Sequence, residues 1–156
     1  AAGDGYNASA SLGSNLGPTS RALVERVSGD VARLREAGLQ VERHTDHFEP
    51  NTPDAEWLQA AGQCGWVVIT HDERIRYKAN ELAAVVQHGV ALLVVVGHAP
   101  YPQLAEHFVH TLPRIEAFVA AHKPPFIAKV YRPAPKELNR RADTSGTVVL
   151  WYPPSR

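Results

Sequence analysis

Four acidic residues fall where carboxylates gather for chemistry: Asp46, Asp54, Glu56 and Asp72. Asp72 lies two residues beyond the apolar run "WVVIT", and Asp46 lies two residues beyond "LQVERH". Asp54 and Glu56 open the segment between them, "DAEWLQAAGQCG". If these acids converge, they form a hard, all-oxygen donor set of the kind that holds Mg²⁺ or Mn²⁺. Acids at such positions also serve as ordinary helix caps, so spacing alone leaves both readings open. Directly after Asp72 come Arg74, Arg76 and Lys78. Arginine forks and a lysine point charge suit phosphate recognition. The plainer reading of the same run is a solvated face whose charges pair with neighbouring acids.

Positioning these groups is the task of the elements around them. Apolar residues follow two alternating periods along the chain. "LVERVSGDVARLREAG" sets Leu23, Val27, Val31 and Leu34 at helical spacing, with Gly38 as a natural stop. Ser28-Gly29 interrupts that face, so a strand or turn feeding a shorter helix is the other reading. "LQVERH" alternates like a strand, and "DAEWLQAAGQCG" reads as a helix with negative charge in its first turn. "WVVIT" and "VALLVVV" are β-branched runs of the type buried on both faces of a parallel sheet. "NELAAVVQHG" reads as a helix ending at Gly89. Leu104, Phe108, Leu112, Ile115 and Val119 mark a longer helix, expected to kink or split at Pro113. "PPFIAKVYR" begins a further strand, and "TVVLWY" returns as an edge strand or hairpin partner. Strands alternating with helices imply an α/β fold with a mostly parallel sheet. In such a sheet functional groups gather beyond the carboxyl ends of the strands, where Asp46 and Asp72 are expected.

Composition narrows the classes of function. The chain has 156 residues, 44% hydrophobic and 21% charged, which fits one soluble domain over 1–156 with 133–156 as a C-terminal extension. For the first 20 residues the pattern decides neither order nor disorder. Sixteen basic and 16 acidic side chains cancel, so a nucleic-acid partner requires a local basic patch. The single cysteine, Cys64, excludes an internal disulfide and suits a reducing compartment, so a cytoplasmic location is expected. No apolar run approaches the roughly 18 residues of a membrane span. The opening "AAGDGYNASASLGSNLG" lacks the pattern of an intact signal peptide. "HTDH" (His44 to His47) resembles a zinc cluster only superficially: on a strand His44 and Asp46 share a face while His47 points away. Trp57 and Trp66 are expected in the core, and Trp151 and Tyr152 suit a partner interface. No Gly-x-Gly-x-x-Gly or P-loop pattern points to a nucleotide cofactor.

One block carries more information than its parts. "HTDHFEPNTPDAEWLQAAGQCGWVVITHDERIR", followed by "NELAAV" and "PPFIAKVYR", resembles the PIN-like domains of VapC-type toxin ribonucleases. It is most similar to the subgroup with an Asp-x-Glu-Trp segment before a Gly-Trp-x-x-x-Thr-x-Asp strand end. The resemblance runs from about Gly29 to Arg132, roughly two-thirds of the chain. It implies a three-layer α/β/α domain with a mostly parallel central sheet that cleaves RNA with Mg²⁺ or Mn²⁺ held by a few carboxylates. Asp54 and Asp72 match two of those acids, in catalytic and metal-binding roles, with Asp46 and Glu81 nearby. Arg74, Arg76 and Lys78 would then hold RNA.

The N-terminal part departs from that pattern. PIN-like domains begin with an apolar strand ending in a metal-anchoring aspartate. Aligning "YNASASLGS" puts Ser9 in that position; aligning "ALVERVSGD" puts Glu25 there and keeps a carboxylate. The resemblance therefore implies an endoribonuclease, the toxin of a toxin–antitoxin pair, with RNA, an antitoxin protein and a second copy of itself as partners. A catalytically degenerate module that binds RNA or protein without cutting is the alternative, as is a DNA-directed nuclease.

Overall fold

The computed structural model describes residues 21–25, 31–49, 51–71, 79–97, 101–141 and 144–153. Six strands form one sheet: β1 (Arg21–Glu25), β2 (Gln40–Arg43), β3 (Val67–Thr70), β4 (Ala91–Val96), β5 (Phe126–Tyr131) and β6 (Thr147–Tyr152). Their spatial order is β2-β1-β3-β4-β5-β6, parallel except for the antiparallel β5–β6 pair. The helices are α1 (Val31–Glu36), α2 (His44–His47), α3 (Asp54–Cys64), α4 (Ala79–His88), α5 (Tyr101–Ala121) and α6 (Pro135–Arg140).

Two apolar clusters lie on opposite faces of the sheet and make the three layers. Val31 and Leu34 of α1 and Phe108, Leu112, Ile115 and Val119 of α5 pack on one face, over Val67, Ile69, Leu93 and Val130. Trp57, Leu58 and Ala61 of α3 and Ala84 and Val85 of α4 pack on the other, over Val68, Leu92 and Ile127. Every residue of β3 is buried, as its continuous β-branched run demands. Full burial is worth about 1.5–3 kcal/mol for each large aliphatic side chain. That stabilisation commits "VVIT" to the middle of the sheet.

Chain reversals fall at glycines where the backbone needs them. Gly38 (φ +99°) ends α1 and Gly65 (φ +70°) caps α3, a region that side chains with a Cβ seldom enter. The first segment thus resolves as a strand feeding a short helix, not as one continuous helix. Two expectations are corrected. α5 is not split at Pro113 but continues through it as one helix, with the proline on its exposed side. His44 leaves the strand and begins the single turn α2, because there its ring is buried against Trp57 (5.1 Å) and Phe48 (5.2 Å).

The last strand is fastened by polar contacts as well as by packing. Gly146 donates its N–H to Thr111 Oγ1 (2.8 Å), and its carbonyl accepts from Arg114 Nη1 (2.7 Å), tying the start of β6 to α5. A side chain at Gly146 would collide with the Tyr131 carbonyl oxygen, so β6 can approach β5 here only with glycine. The other close approach is between α3 and α4, where a Cβ on Gly62 would run into the His88 carbonyl oxygen. Gly62→Ala is expected to destabilise the protein by about 1–3 kcal/mol through overpacking of these helices. The midpoint of a urea denaturation curve measures it; an unchanged midpoint would mean the helices separate freely.

Candidate active site

The sheet order decides where a site can form. From β1 the chain adds β2 on one side and then returns to add β3 on the other. α1 follows β1 onto one face, and α4 follows β3 onto the other. The carboxyl ends of β1 and β3 are therefore the topological switch point of this sheet, the place where open α/β sheets form their ligand crevice. Glu25 and Thr70 are register partners there, the last residues of their strands. Thr70 is fully buried and His71 half-buried, so the chain emerges from the sheet just before Asp72.

The acidic helix starts approach the same edge. α3 connects two parallel strands, so its N-terminus must lie at their carboxyl ends, and α4 behaves likewise. Asp54 and Glu56 occupy the first turn of α3, and Glu81 occupies that of α4. Asp54 is half-buried, and its Oδ1 accepts a hydrogen bond from Trp57 Nε1 (3.0 Å). Trp57 itself is buried, and His44 packs edge-on against its indole. The tryptophan read as simple core thus also fixes one oxygen of a candidate ligand. Asp46 lies in α2, three residues past the end of β2, and is exposed. β2, however, lies on the far side of β1 from β3.

Part of the expected constellation is therefore visible. Glu25 and Asp54 lie on elements that reach this edge, while Asp72, Arg74, Arg76 and Lys78 fall outside the described residues, as does Ser9. Among the described residues no group of three or more His, Cys, Asp or Glu side chains could hold a metal ion. Oxygen donors from Asp54, Asp72 and Glu25 fit a hard divalent ion in kind.

Residues 22–97 match a family described as "PIN like domain". The matched stretch begins within β1 and ends just beyond β4, so it contains the whole switch point. The PIN-like match points to nuclease chemistry in general, and the mostly parallel α/β sheet agrees with it. Short segments are also similar to potassium-transporting ATPase KdpC subunits. With the subunit of Methylorubrum extorquens the identity is 70% over 30 residues, 19% of this chain and 15% of that protein. With that of Koribacter versatilis it is 60% over 35 residues, 22% and 18% of the two chains. The chain thus spans less than a fifth of the length of these curated relatives. No solved structure matches.

Beyond the PIN-like stretch, α5 brings further titratable groups toward the carboxyl ends of β4 and β5. Arg33 of α1 forms a two-pronged ion pair with Glu106, which raises the guanidinium pKa and lowers that of the carboxyl. Both side chains are largely solvated, so the pair orders two helices more than it stabilises them. His107 lines a small cavity with Val95, Val130 and Arg132. Burial, then the nearby Arg132 and His110 charges, hold its pKa below the usual histidine range. Sequence reading missed both groups because their partners lie far along the chain. The unfolded chain takes up the His107 proton at about pH 6.5, before the folded chain does. Its contribution to stability is thus complete above about pH 6.5 and lost as pH falls from there through the lower folded-state value. His107→Gln is expected to flatten the fall in melting temperature between about pH 7 and 5; an identical slope would contradict this origin.

Proposed function

We propose that this protein is a metal-dependent endoribonuclease of the VapC type, the toxin of a toxin–antitoxin pair. The observation that carries the reading is the switch point itself: Glu25 pairs with Thr70 at the ends of β1 and β3, two residues before Asp72. Asp54 and Asp72 would hold Mg²⁺ or Mn²⁺, with Asp46 as a further oxygen donor and Glu25 as the third catalytic acid. A bound divalent ion would supply Lewis-acid activation of water and neutralise charge on the phosphate and the leaving oxygen.

The remaining work belongs to the chain. Trp57 holds the Asp54 carboxylate in one orientation, so less ordering is needed when ligand binds. A third acid orients the attacking water toward phosphorus. Arg74, Arg76 and Lys78 would hold RNA phosphates, where guanidinium forks give direction and the lysine gives charge. An antitoxin would silence the enzyme by covering the acidic edge.

The test is cleavage of a mixed pool of structured RNAs with Mn²⁺, with Mg²⁺ and with EDTA. The native chain is expected to cut with either ion, and Asp72→Asn or Asp54→Asn to lower the rate by about 100-fold or more. Each removes a charge-bearing ligand, and even the groups that merely support a ligand are worth about 10- to 100-fold. No cutting by folded, partner-free protein would favour the degenerate binding module. Equal cutting of single-stranded DNA would move the assignment to a nuclease indifferent to the sugar.

A further inference from the structure

The matched stretch ends at residue 97, yet the sheet continues through β5 and β6. The face these two strands share with α3 and α4 is only partly covered. Ile127 is fully buried, but Lys129 and Tyr131, next along β5 on the same face, are half-exposed. Lys129 Nζ sits 5.9 Å from the centre of the Tyr131 ring. Across the ladder Lys129 faces Val149, which at 43% exposure is one of two large apolar side chains standing open among the described residues.

An irregularity in the pairing adds aromatics to this face. Ile127 pairs with Tyr152 and Ala128 with Leu150, so Trp151 is the extra residue of a β-bulge. Neighbouring strand residues normally point to opposite faces. The bulge re-aims them, and both Trp151 and Tyr152 pack beside the cluster under α3 and α4. Both remain half-exposed.

Basic side chains follow directly along the chain. Residues 129–141 contain five basic side chains (Lys129, Arg132, Lys136, Arg140, Arg141) against Glu137, a net of +4 in a chain whose total is zero. The four arginine and lysine residues after Lys129 are exposed. They follow the carboxyl end of β5, at the edge of the sheet where the switch point between β1 and β3 also lies. Strands are spaced about 4.8 Å apart, so the distance from β1 to β5 is roughly 15 Å, the span of a few nucleotides.

We infer that the β5–β6 face is a track for single-stranded RNA, with bases stacked on Tyr131 and Trp151 and a phosphate held by Lys129. Open aromatic rings interleaved with cations are what a sequence-tolerant single-strand site requires, because every base has a π-face and every linkage a charge. The track runs toward the switch point and would feed a strand to it. This surface rests on the ribonuclease reading for the identity of the nucleic acid.

Binding is measured in EDTA, so that catalysis plays no part, by fluorescence anisotropy of a labelled oligouridine of about 12 nucleotides, within the length range of single-strand sites. Tyr131→Ala is expected to weaken binding about 5- to 100-fold, the loss of one stacked base, and Tyr131→Phe to leave it unchanged. Lys129→Ala is expected to lower the slope of log affinity against log salt by about 0.7, one phosphate's worth. Trp57 and Trp66 are buried, so stacking should quench the emission of Trp151. Native binding that all these variants keep, with no quenching, would overturn the track while leaving the catalytic reading intact. No binding by active native enzyme overturns it too, and concentration-dependent dimerisation abolished by Val149→Asp would reassign the face to a second copy. Binding without any cleavage supports the track and counts against the catalytic reading alone.

Discussion

Between β1 and β3 the chain reverses the direction in which it adds strands, and the helices leaving those strands go to opposite faces. That arrangement requires β3 to be buried on both sides, which its unbroken run of Val, Val, Ile and Thr secures. Parallel register then fixes Glu25 beside Thr70, and because β2, β3 and β4 run parallel, α3 and α4 both start at the same edge. Lengthening or slipping β3 by one residue would turn its side chains to the wrong faces and move the exit point of the chain before Asp72. The site's position is thus a consequence of core packing, not an addition to it.

Around that frame the support is local. Trp57 reaches from the core to Asp54, and His44 abandons the strand to pack against Trp57. Gly62 lets α3 and α4 pack closely near their C-terminal ends. On the opposite side Gly146 allows β6 to close on β5, completing a sheet that extends past the PIN-like stretch. The stretch from β5 through α6 carries a local positive charge in a chain that is neutral overall.

Much of this was legible in the sequence because burial on both faces leaves an unambiguous pattern. β3, β4 and the helix from Asp54 to Cys64 fall where the apolar runs put them, and Trp57 and Trp66 are core. The return of "TVVLWY" as an edge strand was readable from its contrast with the polar tail before it. Pairings between distant residues were not. Nothing near Gly146 announces that Thr111 will hold it, and nothing near Glu106 announces Arg33. His44 alternates like a strand residue, but a buried aromatic neighbour well along the chain overrides that preference. Of the candidate site, the order of the acids was legible. Which edge of the sheet each acid reaches depends on strand order, which no local pattern encodes.

The central claim is that a divalent ion binds between the carboxyl ends of β1 and β3. Paramagnetic broadening of backbone amide NMR signals by sub-stoichiometric Mn²⁺ tests it most directly. The account predicts selective loss of signals from Glu25, Thr70, His71 and Ala55, with β5, β6 and the C-terminal half of α5 unaffected, and no loss in Asp72→Asn. Broadening centred elsewhere, or none at millimolar Mn²⁺, would contradict it.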